Sequence, residues 1–112
     1  MAEDLIRNVG HCVPFSVAGL VDIEEGRKNS IALARTDGCK MTVFSMDAGE
    51  GMSTHAASGD AMAFVLEGAL EIVIEGAPSR VEAGGAIVMP KGAPHSVRAL
   101  EPSKMLLVVV MA

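Results

Sequence analysis

Three histidines, His11, His55 and His95, are the residues of this chain whose types and positions best suit chemistry. A neutral imidazole donates through one ring nitrogen and accepts through the other, so it can hold a metal, move a proton or orient a polar ligand. His55 follows the glycine-rich run Asp47-Ala48-Gly49-Glu50-Gly51, and His95 follows the rigid run Pro90-Lys91-Gly92-Ala93-Pro94. They lie far apart in sequence, so only a barrel of strands would bring them together. Asp60 could complete a two-histidine, one-carboxylate set of the non-haem iron type, with Gly59 turning it back towards His55. The other reading makes Asp60 a turn or capping residue beside Gly59. His11 lies outside both runs and reads as a surface or end-of-barrel residue. Cys12 and Cys39 match no zinc spacing and read as free thiols, small buried hydrophobes in a reducing cytoplasm. No Ser/His/Asp or Cys/His arrangement stands out. Gly84-Gly85 is followed by no helix that could hold a phosphate.

The elements that must position these histidines read as strands. Turn signals recur every eight to twelve residues, the spacing of a sandwich or barrel. Ser30–Arg35 and Lys40–Met46 form a hairpin across Thr36-Asp37-Gly38-Cys39. Further strands are expected at Met52–Ser58, Ala61–Leu66, Ala69–Glu75, Arg80–Glu82, Ala86–Met89, Val97–Leu100 and Lys104–Met111. Over Ala69–Glu75 the residues alternate, with Leu70, Ile72 and Ile74 on one face. The last strand is apolar on both faces, so its outer face is expected to be covered. A second copy of the chain would do this most economically, and the chain's own N-terminal segment is the alternative. Leu5-Ile6 and Val13-Pro14-Phe15 read as edge strands, and the polar tract Asp22–Ser30 as a loop.

At 112 residues and 11.6 kDa the chain reads as a single domain, residues 1–112. Half of its residues are apolar and 21% are charged, which argues for a globular fold. The formal charge is −5, and no basic cluster exceeds Arg27-Lys28, so neither nucleic acid nor an anionic membrane is an expected partner. With three Phe and no Tyr or Trp there is little on which bases could stack. No apolar run reaches the length of a membrane helix. The acidic opening Met1-Ala2-Glu3-Asp4 does not read as a signal peptide, which places the chain in the cytoplasm.

The spacings resemble those of a small single-domain cupin. Gly49, five residues, His55 and then Gly68 match the first part of the cupin pattern; Gly84, five residues, Pro90-Lys91-Gly92, two residues and His95 match the second. The resemblance spans residues 49–99, with N-terminal strands within 1–46 and a C-terminal strand over 104–112. It implies an all-β, jelly-roll type β-barrel, often paired as a homodimer. The departures matter equally. The second histidine position of the pattern is Ala57, its glutamate position is Ala61 and its asparagine position is Ala99. Metal-binding cupins draw three histidines and a glutamate from this pattern, and here only His55 and His95 remain.

The resemblance therefore implies a small-molecule site centred on His55 and His95; Asp60, the nearest carboxylate, one residue before the lost glutamate position, is the candidate third metal ligand. A divalent metal (Fe, Mn, Ni, Zn or Cu) is one expectation for it. Strand parity places Ala57, Ala61, Ala63 and Val65 in phase with His55, and Val97 and Ala99 in phase with His95. Such a wall suits a small, mostly apolar ligand with one or two polar atoms. Met62 and Met89 stand near the same place, and the eight methionines suit an adaptable lining. Two functions follow: a small-molecule-binding module, or a metal-dependent oxygenase, isomerase or lyase acting on a small organic substrate.

Overall fold

The structure, a computed structural model, describes residues 4–112. The reading of Met1-Ala2-Glu3 as the start of an acidic, non-signal opening lies outside the described residues. Nine strands follow one another: β1 (Lys28–Arg35), β2 (Cys39–Met46), β3 (Gly51–His55), β4 (Asp60–Glu67), β5 (Ala69–Ile74), β6 (Ala77–Glu82), β7 (Ala86–Met89), β8 (His95–Ala99) and β9 (Ser103–Val110). A single 3₁₀ turn, Ala18–Leu20, is the only helical element among the described residues. No helix among them is long and apolar enough to cross a membrane.

The strands form two sheets, a larger one in the order β1-β2-β9-β4-β7 and a smaller one in the order β3-β8-β5-β6. Every pairing is antiparallel. This is the expected all-β jelly-roll architecture. Alternation decides which side chains meet between the sheets. Ala61, Ala63 and Val65 of β4, Leu70 and Ile72 of β5, Val97 and Ala99 of β8, and Met105 of β9 are all buried in one cluster. Met46, Val81 and Met89 complete it. The turn between β4 and β5 depends on Gly68, whose φ is +80°. A Cβ there would lie 2.4 Å from the Pro102 carbonyl oxygen, so no other residue fits.

The N-terminal segment differs from the expectation. Leu5-Ile6 and Val13-Pro14-Phe15 are not strands, and the first strand begins at Lys28. Positive φ at Asn8 (65°) and Cys12 (64°) breaks any extended run. The segment instead lies across β1, where Arg7 N–H donates to the Leu33 carbonyl (2.7 Å) and Asn8 Nδ2 to the Ala32 carbonyl (2.6 Å). The polar tract Asp22–Ser30 is only partly a loop, since its last three residues enter β1. Cys12 is exposed rather than buried, and Cys39 is half-buried; both are free thiols.

Val21 and the half-buried Val9, Val17 and Leu20 pack on Leu33, Val43, Leu66 and Leu106, which face away from the inter-sheet core. Lys104 Nζ, on the outer face of β9, donates to the Ala18 carbonyl at 2.8 Å and lies 3.7 Å from Glu67 Oε2. Ser45, fully buried on β2, donates to the Asp22 carbonyl at 2.7 Å. Part of the apolar outer face of β9 is thus covered by the chain's own N-terminal segment. The rest stays open: Val110, at its end, is 60% exposed.

Candidate functional site

His55 ends β3 and His95 opens β8, and the two residues pair directly across the antiparallel ladder. Simple alternation would not place them so. Met52 pairs with Val97 and packs on the core, and three residues further His55 should point to the opposite face. A bulge between Met52 and His55 inserts one extra residue in β3 and turns His55 back to the inner side. The rings meet edge to face, with centroids 4.5 Å apart and planes at 65°. His95 is 3% exposed, whereas His55 is open to solvent, so the pair runs from the surface to the edge of the core.

Both rings are oriented in the same way. His95 Nδ1 lies 3.0 Å from the Ala93 carbonyl oxygen, and His55 Nδ1 lies 2.8 Å from that of Ser53. A carbonyl oxygen can only accept, so each Nδ1 carries a proton and donates it. In the neutral ring, Nε2 is then the unprotonated nitrogen at both residues. The site therefore offers two imidazole lone pairs.

The loop that carries His95 is held in place by directed hydrogen bonds. Ala93 N–H donates to the Pro90 carbonyl, and Gly92 N–H to the Ala57 carbonyl (3.1 Å). Glu75 N–H donates to the Pro94 carbonyl at 2.8 Å. Gly92 adopts φ +77°, which a side chain would oppose. Asp60 belongs to this arrangement. It is exposed, and its Oδ1 accepts from Lys91 N–H at 2.8 Å. Ala61, its neighbour in β4, points into the core. Asp60 thus ties the loop before His95 to β4, and its carboxylate is turned to that loop rather than to the imidazoles.

Ala61, Ala63, Val97 and Ala99 are buried in the inter-sheet core, and Ala57 packs against it from the loop after β3. Met89 is buried in the same cluster, whereas Met62 faces outward. His11 is exposed on the N-terminal segment, away from both strands, with Nε2 2.8 Å from the Ile6 carbonyl oxygen. The carbonyls of Ser53 and Ala93 had no signal in the sequence, because every residue carries one.

A family model described as a cupin domain matches residues 42–111. The chain belongs to the cupins. No curated protein matches it. Among solved structures it is similar to a conserved protein of unknown function from Streptococcus pyogenes, at 38% identity over 100% of this chain and 98% of that one, with a TM-score of 0.96. It is also similar to a cupin 2 conserved barrel domain protein from Leptotrichia buccalis, at 36% identity over 86% of this chain and 47% of that one, with a TM-score of 0.84. A cupin superfamily protein from Desulfitobacterium hafniense shares the fold at 23% identity over 96% of this chain and 98% of that one, with a TM-score of 0.90.

Cupins often hold a metal, and this cupin keeps part of the machinery for one. Imidazoles whose other nitrogen donates to a backbone carbonyl are what a metal ligand needs. The donor set is nevertheless too small. Ala57 and Ala61 stand where the pattern has its second histidine and its glutamate, and neither offers a donor atom. Among the described residues no three His, Cys, Asp or Glu side chains form a group that could hold a metal ion. Zinc takes four ligands, or three and a water; non-haem iron takes two imidazoles and a carboxylate. Two imidazoles alone do not fit a resident metal of either kind.

Proposed function

We propose that this cupin binds a small, mostly apolar molecule that presents hydrogen-bond donors, such as hydroxyl or amine groups, to His55 and His95. The observation that carries the reading is the shared tautomer: both Nδ1 atoms are committed to backbone carbonyls, which leaves both Nε2 atoms as acceptors. A ligand's O–H or N–H groups would complete that pair. The apolar part of the ligand would meet Ala57, half-buried beside the core, because Ala61, Ala63, Val97 and Ala99 are closed inside it. His55 is the outer contact and His95 the inner one, so the ligand enters from the solvent side of β3.

The same pair could pass a proton to or from a bound hydroxyl, since each ring has one free lone pair. That chemistry needs no third protein ligand.

Protein purified without chelator or nickel resin should carry less than about a tenth of an equivalent of any transition metal, because two donors fall short of the usual three or four. A ligand-observed NMR screen of small alcohols, polyols and amines should return binders. Their affinity should fall about 5- to 150-fold in His95→Ala, the loss of one buried hydrogen bond. About one metal ion per chain, lost in the double variant His55→Ala/His95→Ala, would overturn this reading in favour of a metal-dependent enzyme. Binders indifferent to both substitutions would place the ligand elsewhere.

A further inference from the structure

The cations of the described residues divide by place. Away from the histidine end of the barrel they are held: Arg98 lies 3.5 Å from Glu71, Lys104 3.7 Å from Glu67, and Lys28 Nζ donates to the Gly51 carbonyl at 3.0 Å. Arg35, Lys40 and Lys91 make no side-chain hydrogen bond or ion pair with any described residue, and all three are exposed. Lys91 belongs to the loop before His95. Register places the other two on the wall opposite the imidazoles. On β2, Phe44 and Met46 pack in the inter-sheet core and Val43 packs on the outer side, so alternation sets Lys40 on the inner face. Lys40 pairs with Val109, which pairs with Ala61, and both of these face the core. Arg35 pairs with Lys40 and shares its face. The bond from Lys28 to Gly51 joins the starts of β1 and β3; from there β1 runs to Arg35 and β3 to His55. At the far side of the smaller sheet β6 borders β4 and β7, so the β1–β2 edge adjoins the strand of His55. The carboxylates of this end hold none of the three cations. Asp60 accepts from the Lys91 amide, and Asp37 and Glu75, in the connections before β2 and β6, make no ion pair with the described residues.

We propose that the molecule held by His55 and His95 is a short-chain hydroxycarboxylate, with Lys40 and Arg35 as the residues that select its acid group. This rests on the reading of the imidazole pair given above and names the class of ligand it takes. The hydroxyl donates to the bare Nε2 atoms on one wall, and the carboxylate accepts from Lys40 and Arg35 on the other. Facing sheets stand about 10 Å apart, a gap that a short-chain acid can bridge. A guanidinium meets a carboxylate through two parallel N–H bonds, and an ammonium beside it adds a point charge. In a chain of net charge −5, two unpaired cations side by side on an inner face are the local exception. A carboxylate suits them better than a phosphate ester, because no helix N-terminus stands at this end among the described residues.

Ligand-observed NMR titrations test this, with straight-chain hydroxy acids from 3-hydroxypropanoate to 6-hydroxyhexanoate, each set against its own amide. Circular dichroism confirms that each variant keeps its β-sheet content. At low salt an acid of the series should bind about 3- to 30-fold more tightly than its amide, the effect of two exposed charge contacts. That advantage should shrink in about 0.3 M NaCl and vanish in Lys40→Gln/Arg35→Gln. In His95→Ala the acid and the amide should weaken together. Acid and amide of equal affinity, both weakened in His95→Ala, overturn the choice of a carboxylate and leave the role of the imidazoles standing. An acid preference that survives Lys40→Gln/Arg35→Gln overturns the assignment of those two residues. Acids that depend on Lys40 and Arg35 but not on His95 overturn the joint site. So does a series in which no acid binds. A phosphate ester of a matching diol that binds more tightly than every acid overturns the carboxylate in favour of a phosphate.

Discussion

His55 and His95 differ in what their side chains do for the fold, although they share one tautomer. His95 is buried and its Nδ1–H satisfies the Ala93 carbonyl. His95→Ala leaves that carbonyl without its partner and should cost about 1–3 kcal/mol in urea unfolding. His55 is exposed, and water can replace it at the Ser53 carbonyl, so His55→Ala should cost less than about 1 kcal/mol. Asp60 acts at one remove. Asp60→Ala removes the acceptor for Lys91 N–H, in solvent, and should change stability by less than about 1 kcal/mol. It should weaken the binders that depend on His95, whereas Asp60→Asn, which keeps an acceptor oxygen, should restore them. At this scale the sequence was partly legible. Glycine and proline spacings singled out the two histidines, and parity grouped Ala57, Ala61, Ala63, Val97 and Ala99 as a pocket wall; the structure closes Ala61, Ala63, Val97 and Ala99 in the core, with Ala57 packed beside it. The aim of Asp60 was not legible: Gly59 leaves the backbone free to turn either way, and only the Lys91 amide decides.

Strands and turns set the pair's geometry. The alternation of β5 predicted which residues it buries, and Leu70 and Ile72 are fully buried. Ile72→Ala should cost about 2–5 kcal/mol by leaving a cavity between the sheets. The hairpin of β1 and β2 was equally plain from Asp37-Gly38. The bulge in β3 was not, because Ser53 and Thr54 carry no mark that one of them falls out of the ladder. The strand itself ends at His55, short of the expected Ser58. Another turn carries a pH dependence. The Asp47 carboxylate accepts from Gly26 N–H at 2.7 Å and from Ala48 N–H at 2.9 Å, and these bonds hold its pKa below the usual carboxylate value. A lowered folded pKa adds stability above the unfolded value, and that stability is lost as pH falls through the folded one. Asp47→Ala should therefore be less stable than the intact chain at neutral pH. The gap should close as the solution is acidified below about pH 4.

Across the whole molecule, the apolar last strand announced that something must cover its outer face. It could not say what, since a partner's side chain and the chain's own bury a methyl group equally well. The first residues show no period of two or 3.6, so their irregular path over β1 was not legible either. Lys104 fastens that path from beneath, reaching the Ala18 carbonyl from a position 12% exposed. Lys104→Ala should loosen the segment without unfolding the sheets. Amide exchange should quicken at Gly19 and Leu20 and stay slow in β4 and β5.

The central claim is that His55 and His95 present two bare Nε2 atoms to one small ligand. Long-range ¹H–¹⁵N correlation of the histidine rings, recorded near neutral pH with and without a binder from the screen, tests it most directly. The account predicts the Nδ1–H tautomer at both residues, with both Nε2 signals moving when the binder is added. A proton resident on Nε2 of either ring, or Nε2 signals unmoved by a ligand that binds, would contradict it.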